Sequence, residues 1–228
     1  MLEESIKATE AAPAKSKDSD WVSPYTDFRR HRKMGMSGIH TLLITPGFWA
    51  IVGYRFLHAI DAAFRKTPLR PIANQFCIFS TAIISAWTQC LLPARAKIGP
   101  GLYILHSGPM MINDGVVIGS NCTMVRGVAI GHHMTSAGDS PVIGDRVFIG
   151  TGAILFGSIE VGHDSLIGAG AVLTRSVPPR SVVMGNPARV MGNTGSFHLV
   201  RYDGMETDPE RLASLAQVPQ QTDTQTSG

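Results

Sequence analysis

Apolar side chains recur at every sixth position through the second half of this chain. Ile98 and Ile104 begin the series, Ile112, Ile118, Met124 and Ile130 continue it, and Ile143, Ile149, Leu155, Val161, Ile167 and Leu173 complete it. Glycine follows several of them directly, at Gly144, Gly150, Gly162 and Gly168. An α-helix repeats about every 3.6 residues and a half-buried strand every two, so neither accounts for a beat of six. A hexapeptide parallel β-helix does: each hexad supplies one short strand and one turn, and three hexads close a triangular coil. The aliphatic residue points inward and stacks on its equivalents in adjacent coils.

The beat slips twice. Two additional residues separate Ile104 from Ile112, in the stretch around His106 to Pro109. Between Ile130 and Ile143 the spacing reads as two hexads with one residue added, in "GHHMTSAGDSPV". Solenoids put such insertions on one face as loops, often the binding face. Three of the eight histidines, His106, His132 and His133, fall at these slips. The others, such as His58 and His163, read as packing or surface residues.

Ahead of the hexads the periodicity is helical. "PGFWAIVGYRFLHAIDAAFRK" opens on Pro46 with apolar residues three and four apart, "TPLRP" breaks it, and a second apolar helix runs from about 72 to 90. Such helices must pack on something else. "FCIFSTAIISAWTQCLL" (76–92) is short for a bilayer span and carries Ser, Thr and Gln, which favours burial in a bundle or interface over a membrane segment. Peripheral contact with a membrane remains a role open to it.

Composition narrows the functional classes. A net charge of +3 is too mild to argue for nucleic acid, and its main cluster, "RRHRK" at 29–33, reads as a solvated helix start or linker. Cysteines at 77, 90 and 122 offer no metal spacing and no disulfide framework, which suits a reducing compartment. The polar N-terminus has no apolar signal region, so the expected location is cytoplasmic.

The closing stretch "IGAGAVLTRSVPPRSVVMGNPARVMG" (167–192), the "ILHSG" turn and the upstream "TPGFWAIVGYRFLHAI" resemble the left-handed β-helix acyltransferases, most closely the serine acetyltransferase family. The resemblance covers roughly residues 45–191. It implies a mainly β fold, a left-handed parallel β-helix preceded by a small helical segment. It also implies acetyl transfer from acetyl-CoA to a hydroxyl, in a cleft between neighbouring β-helices of a homotrimer, with no metal. The helical segment could join two such trimers. His106 matches the family's catalytic base, and imidazole suits that role because its ordinary pKa lies near working pH. Thr151, Ala169, Thr174 and Arg175 match positions that contact coenzyme A, with Arg189 near its phosphates, where a guanidinium suits phosphate oxygens.

Departures from the family bear on the acceptor. Serine acetyltransferases carry an acid in an Asp-Ile-His-Pro-like stretch, which reads "CLLPAR" in this chain. They place Asp before the catalytic histidine, where this chain has Leu105, and a histidine before a loop proline, where it has Ser140 before Pro141. The expected acceptor is therefore a sugar or glycan intermediate of exopolysaccharide or capsule biosynthesis, with serine, for cysteine synthesis, as the alternative. "INDG" (112–115) resembles the polysaccharide acetyltransferases of the same superfamily. In this reading Asp114 either orients His106 or simply satisfies a turn, and Asn113, His132 and His133 bind substrate, one of the two histidines serving as base if His106 does not. A non-enzymatic scaffold or a zinc hydratase sharing three histidines across a trimer is the rival from another class. The expected organisation is a disordered N-terminus (1–20), a helical segment (21–92), the acyltransferase β-helix (93–192) and a largely disordered tail (193–228).

Overall fold

The computed structural model describes residues 24–35, 45–132 and 140–218; the segment 1–20, expected to be disordered, lies outside them. Three parallel sheets form the faces of a prism, and the chain visits them in turn. Face A holds β1 (Cys90–Leu91), β4 (Met110–Ile112), β7 (Ala129–Gly131), β10 (Ile154–Phe156) and β13 (Val172–Leu173). Face B holds β2 (Lys97–Ile98), β5 (Val117–Ile118), β8 (Val142–Ile143) and β11 (Glu160–Val161). Face C holds β3 (Tyr103–Leu105), β6 (Thr123–Val125), β9 (Phe148–Ile149), β12 (Leu166–Ile167) and β14 (Val182–Met184), closed by the antiparallel β15 (Arg189–Gly192).

The hexad aliphatics are the inward columns of this prism. Ile118 pairs with Ile143, Met124 with Ile149 and Ile130 with Leu155, so like stacks on like. All of these side chains are buried in one continuous core, each contributing about 1.5–3 kcal/mol relative to exposure. The residue after each aliphatic sits where successive coils nearly touch. A Cβ on Gly144 would lie 2.7 Å from the His163 nitrogen, and one on Gly162 would lie 2.2 Å from that of Pro179.

The second slip differs from the sequence reading. Ile130 belongs to β7 and Ile143 to β8, which occupy the consecutive faces A and B. The interval is therefore one hexad plus a seven-residue insertion at the A/B edge, not two hexads plus one residue. A period of six cannot tell these apart, because adding seven to one hexad gives the same spacing as adding one to two.

Helices close the open end of the prism. α1 (Pro24–Lys33) and α2 (Pro46–Phe64) lie over the first coil, where Ala50, Ile51 and Tyr54 join the core. The "RRHRK" run is not solvated throughout: Arg30 and His31 are buried. Arg30 donates to the Cys122 carbonyl at 2.8 Å and to Thr123 Oγ1 at 2.7 Å. Asp27 pairs with Arg55 at 2.9 Å and accepts the Leu102 N–H at 2.9 Å, so the cap satisfies backbone groups the first coil leaves free.

α3 (Arg70–Thr88) packs along α2, and no helix among the described residues is long and apolar enough to cross a membrane. The tail also departs from expectation. Residues 193–218 fold back on the B/C edge and end in α4 (Pro209–Ala216), capped by Asp208, whose carboxylate accepts from the Glu210 and Arg211 N–H groups. Arg146, buried under this tail, pairs with Asp164 at 2.8 Å and faces Asp208 and Glu210. Polar composition suggested disorder, but the buried charges of the β-helix give the polar tail its partners.

Candidate active site

The first slip puts His106 at the edge between faces C and A. Leu105 pairs with Val125, while the Gly127 N–H donates to the Pro109 carbonyl at 2.7 Å. Between those matched levels the lower strand spends two additional residues, Ser107 and Gly108, and bulges outward. His106 takes a left-handed backbone (φ 56°) to enter this bulge and is exposed. The bulge is braced from the helical end of the prism, since the Gly47 N–H at the start of α2 donates to Ser107 Oγ at 2.7 Å. From below, buried Cys90 lies under it, Sγ 3.8 Å from the Gly108 carbonyl, with burial pushing the thiol pKa up.

Register then carries the position of His106 up the same edge. One residue past the Leu105–Val125 pair, Arg126 stacks on His106. Two residues past Met124–Ile149, Thr151 stacks on Arg126, and two past Ile149–Ile167, Ala169 stacks on Thr151. The backbone confirms the ladder: Gly152 N–H donates to the Arg126 carbonyl at 3.1 Å and Gly170 N–H to that of Thr151 at 2.8 Å. At Gly152 and Gly170 an added Cβ would meet nothing within 4 Å, so the upper edge opens outward. An extended chain such as a pantetheine arm has room there.

The remaining candidates occupy other places. Asn113 and Asp114 follow β4 and stand at the A/B edge, across face A from His106, so one protomer does not bring Asp114 to the imidazole. His132 follows β7 at that same A/B edge, beside Asn113, whose side chain covers Gly131. The Nδ1 atom of His132 is buried with no hydrogen-bond partner among the described residues. His133 lies outside the described residues. Thr174 and Arg175 follow β13, also at the A/B edge, and Arg189 is exposed on the closing β14–β15 hairpin. Among the described residues no group of three or more His, Cys, Asp or Glu could hold a metal ion.

Against known proteins, the hexapeptide repeat of succinyl-transferases matches residues 109–133 and 142–175. Serine acetyltransferase 3 of Arabidopsis thaliana is 34% identical over 158 residues, 69% of this chain and 38% of that protein. The Salmonella typhimurium serine acetyltransferase is 33% identical, covering 68% of this chain and 54% of its own. Among solved structures, soybean serine acetyltransferase superposes with a TM-score of 0.66 at 32% identity, over 74% of this chain and 67% of that one. The Brucella abortus serine acetyltransferase in complex with coenzyme A gives 0.67 at 30%, over 78% and 70%. The chain belongs to the serine acetyltransferase family. Its fold is accordingly the left-handed parallel β-helix preceded by helices. The chain spans about half the length of these two serine acetyltransferases.

Two site residues escaped the sequence reading. Ser107 looks like an ordinary turn residue until α2 is seen to dock on it. Arg126 sits in a regular hexad, and only the register with β3 reveals that it stands over His106. The period of six alone could have flagged it, but the slip at Ser107 and Gly108 hides which residue lies above which.

Proposed function

We propose that this protein is an acetyl-CoA-dependent O-acetyltransferase whose acceptor is a small hydroxyl compound of the serine type. The observation that carries the reading is the single edge on which His106, Arg126, Thr151 and Ala169 stack, in a chain whose relatives are serine acetyltransferases. Acetyl-CoA lies along the upper edge, past the small residues at 150–152 and 168–170, with its thioester toward the base. His106 takes the acceptor hydroxyl proton as the oxygen attacks the thioester carbonyl, a contribution of about 10²–10⁴ in rate. A backbone N–H of the coil stabilises the tetrahedral oxyanion. The C–S bond then breaks, and the proton passes to the departing thiolate, giving the acetyl ester and coenzyme A. Holding thioester and hydroxyl side by side supplies much of the remaining acceleration.

His106 and the pair Asn113 and His132 stand at opposite edges of face A, which supports a site completed by a neighbouring copy, in a homotrimer. A cleft between two β-helices sets one edge of each copy against the other, so Asn113, Asp114 and His132 of one protomer face the base of the next. Thr174 and Arg175 reach the coenzyme from that second edge, and Arg189 holds its phosphates from the closing hairpin. Three buried free thiols suit a cytoplasmic setting.

A glycan acceptor in polysaccharide assembly is the second reading, favoured by Leu105 and by the absence of an acid in "CLLPAR". Acetyl transfer from labelled acetyl-CoA, measured side by side with serine and with neutral sugars, separates the two. Serine is expected to be the better acceptor; transfer to sugars with serine ignored reverses the order.

A further inference from the structure

The acceptor site departs from the family at the groups expected to hold serine, and it carries a cation of its own, Arg126. Arg126 is exposed, and its stem runs over the bulge: a Cβ placed on Gly108 would lie 3.2 Å from Arg126 Cβ and 3.6 Å from its Cδ. The glycine therefore leaves the groove in which the Arg126 chain lies. Register sets its backbone one coil above that of His106, about 4.8 Å away. The guanidinium has no ion-pair or hydrogen-bond partner among the described residues. The edge itself offers none, because the turns at 105–109, 126–127, 150–153, 168–171 and 184–188 contain no Asp or Glu.

A cation without a protein partner among the described residues, its backbone one coil above that of His106, selects what can bind there. A guanidinium presents paired N–H donors that match a carboxylate geometrically, and such charge-assisted bonds are short and strong. A neutral sugar would leave that charge without a partner. We propose that Arg126 is the acceptor-binding residue of this site, reading a carboxylate one or two carbons from the hydroxyl that is acetylated. The acceptor class is thus a small hydroxy acid, of which serine is one. This rests on the acetyl-transfer reading above and narrows its substrate.

The test compares wild type with Arg126→Gln and Arg126→Lys. Both keep a long polar chain at an exposed position, so folding is preserved and is checked by thermal unfolding. Steady-state rates are measured with serine, glycerate and serinamide, and binding of serine and glycerate is measured by calorimetry in the presence of coenzyme A. The expected result is a KM for serine and glycerate raised about tenfold or more in Arg126→Gln, with partial rescue in Arg126→Lys. The KM for acetyl-CoA should stay within about twofold. Serinamide should be a poor acceptor for wild type and insensitive to the substitution.

A shift in the acetyl-CoA KM instead would overturn the assignment, placing Arg126 on the coenzyme phosphates. Equal use of serine and serinamide by wild type would overturn it too, as would transfer to neutral sugars alone. If wild type transfers acetyl to no acceptor but binds glycerate in an Arg126-dependent way, the anion site stands and the transfer reading falls. If it neither transfers acetyl nor binds the hydroxy acids, both fall.

Discussion

The Gly47 N–H and the Ser107 hydroxyl meet at 2.7 Å, and this contact ties the first turn of α2 to the bulge that carries His106. A helix N-terminus leaves its first N–H groups without intrahelical partners, and Ser107 supplies one acceptor from sixty residues away. The helical segment is thus joined to the edge that carries His106 as well as to the end of the prism. Ser107→Ala should cost about 1 kcal/mol of stability. It should also lower kcat more than it raises the KM for acetyl-CoA, since the bulge that carries the proposed base loses its brace. Thermal unfolding and steady-state kinetics on one preparation read both effects.

His106→Asn separates chemistry from backbone. Asparagine tolerates the left-handed conformation that position 106 adopts, so the turn should survive. Turnover should fall by about 10²–10⁴ while coenzyme A binding and assembly persist. Activity within a few-fold of wild type would move the base to another residue, with His132 and His133 next in line.

The spacing of the coils makes the corner glycines structural. Gly162→Ala would drive a Cβ to within 2.2 Å of the Pro179 nitrogen, against backbone that cannot swing aside. We expect a loss of about 2–3 kcal/mol, typical of overpacking a rigid site, visible as a lower Tm. Gly152→Ala should differ: it meets no neighbour, and only its positive φ of 68° resists the change.

The B/C edge holds a buried charge pair whose integrity can be measured. Arg146 and Asp164 are both nearly inaccessible, joined at 2.8 Å and covered by the tail. Asp164→Ala would leave the guanidinium buried with weaker partners and should cost about 3 kcal/mol or more. Deleting residues 195–228 should lower the Tm as well, because Asp208, Glu210 and the buried Arg211 leave together.

His163 and Asp145 give that edge a pH response. The His163 Nδ1 lies 2.8 Å from the Asp145 N–H and 3.2 Å from its carboxylate, so it accepts from the first when neutral and donates to the second when protonated. The hydrogen bond to Asp145 holds the imidazole pKa above its ordinary value, against the opposing effect of burial. Burial alone would raise the Asp145 pKa, but the His163 and Ser120 hydrogen bonds outweigh it and hold the carboxyl below its usual range. Stability from the raised histidine is complete below the ordinary histidine pKa and fades as pH rises through the raised value. Stability from the carboxylate is present above its ordinary pKa and is lost as pH falls through the lowered one. NMR titration should therefore show His163 titrating high, and Asp145→Asn should return it toward the ordinary value.

How much of this was legible beforehand varies with the range of the interaction. Ile118, Ile143 and Val161 announce their column because a solenoid repeats one local geometry, so a one-dimensional period encodes the stacking. His106 was visible for the same reason, as a break in that period. The tail was misread, because its order comes from the buried charges it covers and not from its own composition.

The "INDG" resemblance linked Asp114 to His106, which stands just before it in the sequence. Eight residues are enough to cross face A from one edge to the other, so nearness along the chain became distance across the prism.

The sequence by itself determined that this chain winds a β-helix of hexads, where its beat fails, and that a histidine stands at the failure. These are local properties, written in the order of side chains. Only the tertiary structure decided that the second insertion is seven residues, that Ser107 anchors a helix, and that Arg126 rides above His106. Each depends on which strand lies over which, and parallel stacking joins residues a full coil apart through backbone hydrogen bonds that no local pattern records.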